Sequence, residues 1–370
     1  MSQPKLNPPF RADHVGSLLR PPQIFEARDK VAMGEMTQAN LREVEDAAIA
    51  EMIPKLEATG IQSITDGEYR RAYFHLDFLQ QLAGVTVTGM IASSSDSEDR
   101  VGFAPPRVTV TGKLAHDHDI QVADYEFVSA RTDRQPKVCI PSPTMAHFRG
   151  GRAGIDIESY PDLDVFFEDL AQAYRDEIAH LYAAGCRYIQ LDDTNLAYLC
   201  DPRMRQGAVD RGDDPDELPR TYAALINAAI RDVPDDMTTA VHLCRGNYKS
   251  TFFASGGYEP VAEVLFNELA VDAYFLEYDD ERSGDFAPLR FVPSDKTVVL
   301  GLVTSKTPEL EPVDDLMSRI DDASQYVEMS QTCLSPQCGF ASTMEGNKLT
   351  EEEQWAKLRL VTSTAERIWG

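Results

Sequence analysis

From about residue 37 the chain alternates between stretches of helical hydrophobic period and short runs rich in β-branched and aromatic residues. Residues 37–59 place Leu41, Ala48, Ile49, Met52, Ile53 and Leu56 on one helical stripe, with Thr37 positioned to cap the first turn. Gly60 stops that helix, and 61–65 reads as a strand. The unit recurs at 162–184, where Leu163, Phe166, Phe167, Leu170, Tyr174, Ile178 and Leu181 form the stripe, Gly185 ends it, and 188–191 is the strand. Helices over 217–231, 260–269 and 312–329 precede strands at 239–243, 273–276 and 332–334. Further strands are expected at 13–16, 138–140 and 298–303, and 349–369 reads as a closing helix.

Alternating β and α elements imply a parallel sheet, because parallel neighbours need a crossover between them. Eight strands in this rhythm fit a closed (β/α)8 TIM barrel better than an open doubly wound sheet. Neither a G-x-G-x-x-G nor a G-x-x-x-x-G-K-[ST] pattern is present to support a nucleotide-binding version. Residues of about 84–132 break the rhythm, with a polar Ser/Asp run at 93–99 and an alternating segment at 107–113. They read as a hairpin and loop inserted into one catalytic barrel domain that spans residues 1–370.

Charge narrows the class of partner. Thirty-five Lys and Arg face 61 Asp and Glu, a formal net charge of −26, which repels nucleic acid and anionic membranes. A small-molecule substrate is expected, no nucleic acid and no membrane. A homo-oligomer is compatible with the same reading. The first ten residues are polar and proline-rich, unlike a signal peptide, and no apolar run is long enough to span a bilayer. Six cysteines in 370 residues then read as reduced thiols in a cytoplasmic protein.

In a β/α barrel the chemistry gathers where strands end and βα loops begin. The predicted strand ends carry Gly16-Ser17, Asp66-Gly67-Glu68, Asp192-Asp193, His242-Leu243-Cys244, Glu277, Thr304-Ser305 and Cys338-Gly339. His242 and Cys244 are two apart and share one side of an extended segment. With Glu277 at the end of the next strand and Cys338 after the last, brought around one barrel mouth, they make a plausible tetrahedral Zn2+ set, the soft thiolates and borderline imidazole selecting zinc over magnesium or calcium. A lone H-x-C is more often core filler; the acid and second cysteine at matching ends shift the balance. Glu68 and Asp192 could bind an ammonium group, act as an acid/base pair or hold a divalent ion. His14, His75, His147, Arg11 and Arg20 read as structural or solvated.

At these positions the sequence resembles the cobalamin-independent methionine synthase family, specifically its C-terminal catalytic barrel and the short stand-alone members. The matching pieces are F-R-A-D-H-V-G-S-L-L-R-P (10–21), I-T-D-G-E-Y-R-R (64–71), Y-I-Q-L-D-D (188–193), V-H-L-C-R-G-N (241–247), F-L-E-Y-D (275–279), L-G-L-V-T-S-K (300–306) and L-S-P-Q-C-G-F (334–340). They follow family order and span nearly the whole chain. The resemblance implies that His242, Cys244, Glu277 and Cys338 ligate zinc. It further implies that Gly16, Ser17, Glu68 and Asp192 hold homocysteine, the two acids on its ammonium, and that the metal-bound thiolate takes a methyl group to give methionine. Glu277 is the ligand expected to yield to substrate sulfur, which with Asp192 places it among the catalytic residues.

Two departures bear on the methyl donor. Full-length members carry a histidine, the proton donor to departing folate, after the strand that ends here in Thr304, Ser305 and Lys306. They also carry a tryptophan near the pterin, where this chain has P-S-P-T (141–144). Both point away from methyltetrahydrofolate and toward a corrinoid-bound methyl or another donor. An epoxyalkane:coenzyme M transferase-type zinc thiol alkyltransferase is the alternative of the same family, but a sulfonate thiol has no use for Glu68 and Asp192. A non-catalytic zinc or amino-acid-binding barrel is the alternative of another class. Decarboxylase chemistry in a related barrel is a third, with no use for the two strand-end cysteines.

Overall fold

The computed structural model describes residues 8–88 and 106–370; the polar run at 93–99 lies outside the described residues. In chain order the helices are α1 (Pro22–Ala32), α2 (Gln38–Ala58), α3 (Leu76–Leu79), α4 (Val122–Ser129), α5 (Leu163–Ala183), α6 (Asn195–Tyr198), α7 (Pro202–Asp210), α8 (Leu218–Ile230), α9 (Ala262–Asn267), α10 (Val313–Ala323) and α11 (Glu351–Trp369). The strands are β1 (Ser63–Ile64), β2 (Ala83–Thr88), β3 (Arg107–Ala115), β4 (Gln135–Pro136), β5 (Val138–Pro141), β6 (Tyr188–Asp193), β7 (Thr238–Leu243), β8 (Asn247–Tyr248), β9 (Thr251–Phe252), β10 (Ala273–Glu277), β11 (Thr297–Val303) and β12 (Thr332–Pro336).

A parallel sheet runs in the order β12-β11-β10-β7-β6-β5. It continues through β4, which pairs in parallel with β1 just before β5 begins. On the other side Ala12 bridges Leu334 of β12 in parallel, with Asp13 N–H donating to the Leu334 carbonyl at 3.0 Å. The last seam, between residues 13–16 and β1, is closed by side chains. Ser63 Oγ donates to Asp13 at 2.7 Å, His14 Nε2 meets the Ser63 carbonyl at 3.0 Å, and Thr65 Oγ1 donates to the Gly16 carbonyl at 2.7 Å. The result is the (β/α)8 barrel. One expected strand is corrected: 13–16 forms no ladder beyond the bridge at Ala12, because its carbonyls face side-chain donors and Gly16 turns to φ +145°.

The local signals work as their chemistry dictates. The Thr37 hydroxyl accepts from Asn40 N–H, Asp162 accepts from Asp164 N–H, and Thr350 with Glu353 forms a reciprocal capping box on α11. Five helices lie outside the expected rhythm, two of them, α3 and α6, being single turns of four residues and the other three longer. Of these, α1 buries only Ile24 and Ala27, and α7 only Ala208, so neither presents a hydrophobic stripe to read. The third, α4, belongs to the irregular 84–132 stretch, where β2 and β3 pair antiparallel as the hairpin expected there.

The strands of the barrel wall are buried nearly throughout, as a sheet covered by helices requires. Val15, Tyr188, Ala240, Ala273, Phe275, Val299 and Cys333 fill the barrel interior toward its N-terminal end. Asp13 and Lys137 are fully buried with them: Lys137 Nζ donates to the His14 carbonyl at 2.6 Å and lies over the Phe275 ring. Among the described residues no helix is long and apolar enough to cross a membrane.

Candidate active site

The C-terminal ends of the barrel strands bring two groups together. The first is His242, Cys244 and Cys338, whose ligand atoms all lie within 4.8 Å of one another. His242 and Leu243 end β7, Cys244 follows, and Cys338 comes two residues after β12. The two sulfurs are 3.3 Å apart, and all three side chains are buried. Neither ring nitrogen of His242 has a hydrogen-bond partner of ordinary geometry. Two adjacent thiols and a buried imidazole without a partner are a donor set that fits zinc. Contact with Cys338, and then burial, hold the Cys244 thiol well above the ordinary thiol range. Burial pulls His242 down, but Cys244, Asp192 and Glu277 outweigh it and raise its pKa.

Glu277 stands apart from that group. Its carboxylate pairs with Arg282, accepts from Arg245 N–H at 2.7 Å, and has Lys306 Nζ at 3.5 Å. Burial pushes its pKa up, yet Lys306, Arg282 and Arg245 overcome this and hold it at about 2. The structure therefore keeps Glu277 as an ionised carboxylate held by three basic residues. Thr304 and Ser305, at the end of β11, hold loops in place: Thr304 N–H donates to Glu311 and Ser305 Oγ donates to the Gly339 carbonyl. Lys306 Nζ is taken up at 2.6 Å by Asp279.

The second group is Glu68, Cys139 and Asp192, again with ligand atoms within 4.8 Å of one another. Asp192 pairs in register with His242 across β6 and β7, so the two groups are neighbours on the rim. Its carboxylate accepts from Gln190 Nε2 at 2.6 Å. Asp193 points elsewhere, accepting from Thr144 and from Leu196 N–H as a buried structural acid. Glu68 has φ +58°, a costly conformation for a side chain of this size. It is fixed there by Asp66, which accepts its N–H at 2.9 Å, and by Arg20, which donates to its carbonyl at 2.6 Å. Among the described residues its Oε2 has no hydrogen-bond partner, though Arg71 lies 3.6 Å away. Burial, chiefly, raises the Glu68 pKa to about 7; Arg71 offsets this and Asp192 adds to it. Burial likewise raises Asp192.

Gly16 makes this arrangement possible. A Cβ there would lie 2.7 Å from Cys139 Sγ and 3.3 Å from Glu68 Oε1, in a backbone conformation that side chains rarely adopt. Ser17 joins the seam to the Cys338 loop: its carbonyl accepts from Phe340 N–H at 2.9 Å and its Oγ from Ala341 N–H at 3.3 Å. A Cβ on Gly339 would strike that Oγ.

Several supporting partnerships escaped the reading of the sequence. Asn247 and Ser305 both donate to the Gly339 carbonyl, and Asn347 donates to the Ser305 carbonyl at 2.7 Å. Arg71 spans the Cys139 carbonyl, Gln121 and Glu68. Asn247, Ser305 and Arg71 fall inside the matching sequence pieces, which was the available signal; Asn347 and Gln121 had none. His14, His75 and His147 are buried in packing roles outside the two rim groups, and Arg20 is structural through Glu68 and the 341–343 carbonyls.

Residues 10–367 match the family model described as the catalytic domain of cobalamin-independent synthase. A Bacillus subtilis protein, the uncharacterized YxjH, is 47% identical over 98% of this chain and 95% of its own length. The crystal structure of a candidate vitamin-B12-independent methionine synthase from Listeria monocytogenes matches with a TM-score of 0.78 and 42% identity over 98% of both chains. That of a B12-independent methionine synthase from Shewanella sp. W3-18-1, in complex with selenomethionine, matches with a TM-score of 0.73 over 97% of both chains. At 20% identity the last comparison speaks for the fold alone.

Proposed function

We propose, from the premise that this chain belongs to the family of the cobalamin-independent synthase catalytic domain, that it methylates the sulfur of homocysteine to give methionine, using zinc. The chain acts as one catalytic barrel, with the 84–132 region inserted in it. One observation carries the reading: a two-thiol, one-imidazole group and a pair of buried acids occupy neighbouring strand ends, related through the Asp192–His242 register. Adjacent strands are about 5 Å apart, so a short amino acid can reach from one group to the other.

His242, Cys244 and Cys338 would hold the metal, with Glu277 as the fourth, exchangeable ligand. When bound, zinc supplies the acidity that turns a thiol into a thiolate near neutral pH. Glu68 and Asp192 bind the substrate ammonium, and Gly16 lets Cys139 and Glu68 close in beside the backbone. Ser17 ties this end of the site to the Cys338 loop. Arg282, Lys306 and Arg245 keep Glu277 ionised and compete for its carboxylate, which would make it the weakest-held member of a zinc ligand set.

The methyl donor is a separate question. Folate departure needs a proton, and Thr304, Ser305 and Lys306 are all engaged in holding loops and acids. We therefore favour a corrinoid-bound methyl or a methylated amine or sulfonium over methyltetrahydrofolate. Free thiols throughout accord with a cytoplasmic setting.

The test is a donor screen on zinc-loaded protein with homocysteine, alongside calorimetric binding of homocysteine and coenzyme M. Methionine formed with one donor class, and homocysteine bound in preference to coenzyme M, is the expected result. Preferred binding of coenzyme M would overturn the substrate; failure to bind any thiol would leave the non-catalytic barrel as the better reading.

A further inference from the structure

A second cluster of metal-binding character lies outside the two rim groups. His116 and Asp119 belong to the turn that follows β3, and His180 lies in the last turn of α5. Their ligand atoms all come within 4.8 Å of one another. The two imidazoles meet edge to face with centroids 5.2 Å apart. His180 Nδ1 is 2.6 Å from Asp119, and both side chains are about half exposed, so the cluster opens to solvent. With His118 beside them, three of the seven histidines of the chain gather on this patch.

What separates this cluster from an ordinary surface ion pair is the group behind it. Glu177 is fully buried, and its carboxylate accepts from Ile120 N–H at 3.0 Å and Gln121 N–H at 2.6 Å. Its third contact is His116 Nε2 at 2.6 Å. An acceptor so committed accepts a hydrogen bond from a protonated Nε2, which leaves the His116 lone pair on Nδ1. A carboxylate behind a histidine, fixing its tautomer and orientation, is the outer-shell arrangement that metal-binding histidines use.

We propose that His116, Asp119 and His180 form a second, peripheral site for a divalent transition cation, with Glu177 as the orienting group of His116. Two imidazoles and one carboxylate select borderline ions such as zinc, nickel or cobalt over magnesium and calcium. The site has no thiol and no part in the transfer reaction. Its ligands come from the turn after the β2–β3 hairpin and from a barrel helix, so an ion there staples the hairpin region to the barrel.

The experiment is equilibrium dialysis of the full chain against low-micromolar zinc, with metal analysis, for the parent, His180→Gln and Asp119→Asn. Both substitutions are at exposed positions and leave the core intact. Each variant is expected to hold one zinc ion fewer per chain than the parent, whatever the parent's total. Loading with cobalt separates the two sites: the thiolate-to-cobalt absorption of the barrel mouth should persist in His180→Gln and vanish in Cys338→Ser. An unchanged zinc count in both His180→Gln and Asp119→Asn overturns the site. So does loss of the thiolate band in His180→Gln, since the missing ion would then be that of the mouth. Failure of the transfer assay leaves this result untouched.

Discussion

The two ends of the barrel interior both bury charge, and they treat it in opposite ways. Toward the N-terminal end, Asp13 accepts from Ser63 Oγ, Tyr188 OH and two backbone N–H groups, while Lys137 donates to the His14 carbonyl. At the C-terminal rim, both nitrogens of His242 and one oxygen of Glu68 have no hydrogen-bond partner of ordinary geometry among the described residues. A satisfied buried charge specifies structure; an unsatisfied one costs stability and persists only where something else completes it. The contrast assigns the first end to holding the barrel closed and the second to receiving a cation and a ligand.

The comparison breaks most sharply at the thiols. Cys338→Ser or His242→Ala should empty the metal site and abolish methyl transfer while the barrel remains folded; zinc analysis, circular dichroism and a methionine assay check this together. Full zinc content in Cys338→Ser would return that cysteine to the category of core filler. At the opposite end, Lys137→Met should leave zinc in place and destabilise the fold by about 3–5 kcal/mol, the cost of stranding Asp13 without its cation. Denaturant unfolding measures it. If Lys137→Met left stability unchanged and removed activity, the division of labour between the two ends would be wrong. Gly16→Ala comes next: a Cβ pressed against Cys139 and Glu68 should weaken homocysteine binding more than it lowers zinc content, which calorimetry and metal analysis distinguish.

How much of this was legible in the sequence follows the same physics. The barrel walls were readable because β6, β7, β10 and β11 are short runs rich in apolar and β-branched residues between amphipathic helices, and their ends carry the chemistry. Residues 13–16 misled because closure at that seam is made by Ser63, His14 and Thr65 side chains, which no periodicity announces, and not by a strand ladder. The rim residues His242, Cys244 and Cys338 were visible as ligand types at matching ends. What holds Glu277 was not, since Arg282, Arg245 and Lys306 reach it from three different loops. The same holds for Cys139, read as one thiol among six until the fold set it between Glu68 and Asp192. Long-range side-chain partnerships carry no local pattern, so they surface only in three dimensions.

The smallest effect is also the most specific to the open end. In the unfolded chain Glu68 ionises near 4.5; in the fold it ionises at about 7, chiefly because of burial. Between these values the folded chain binds the extra proton, so the protonated carboxyl contributes its full share of stability below about pH 4.5. That share is lost as pH rises toward 7 and is gone above it. Glu68→Gln removes the charge in every state, and its melting temperature should therefore fall less than the parent's between pH 5 and pH 8, by a few degrees at most. An ammonium ligand reverses the balance, because it needs the ionised acid: homocysteine affinity in the parent should rise as pH climbs through about 7, and Glu68→Gln should bind weakly with a flat profile. A residue that merely packs would shift neither slope. If the parent and Glu68→Gln showed parallel melting curves across this range together with equal homocysteine affinity, Glu68 would belong with Asp13 among the charges that only hold the barrel together.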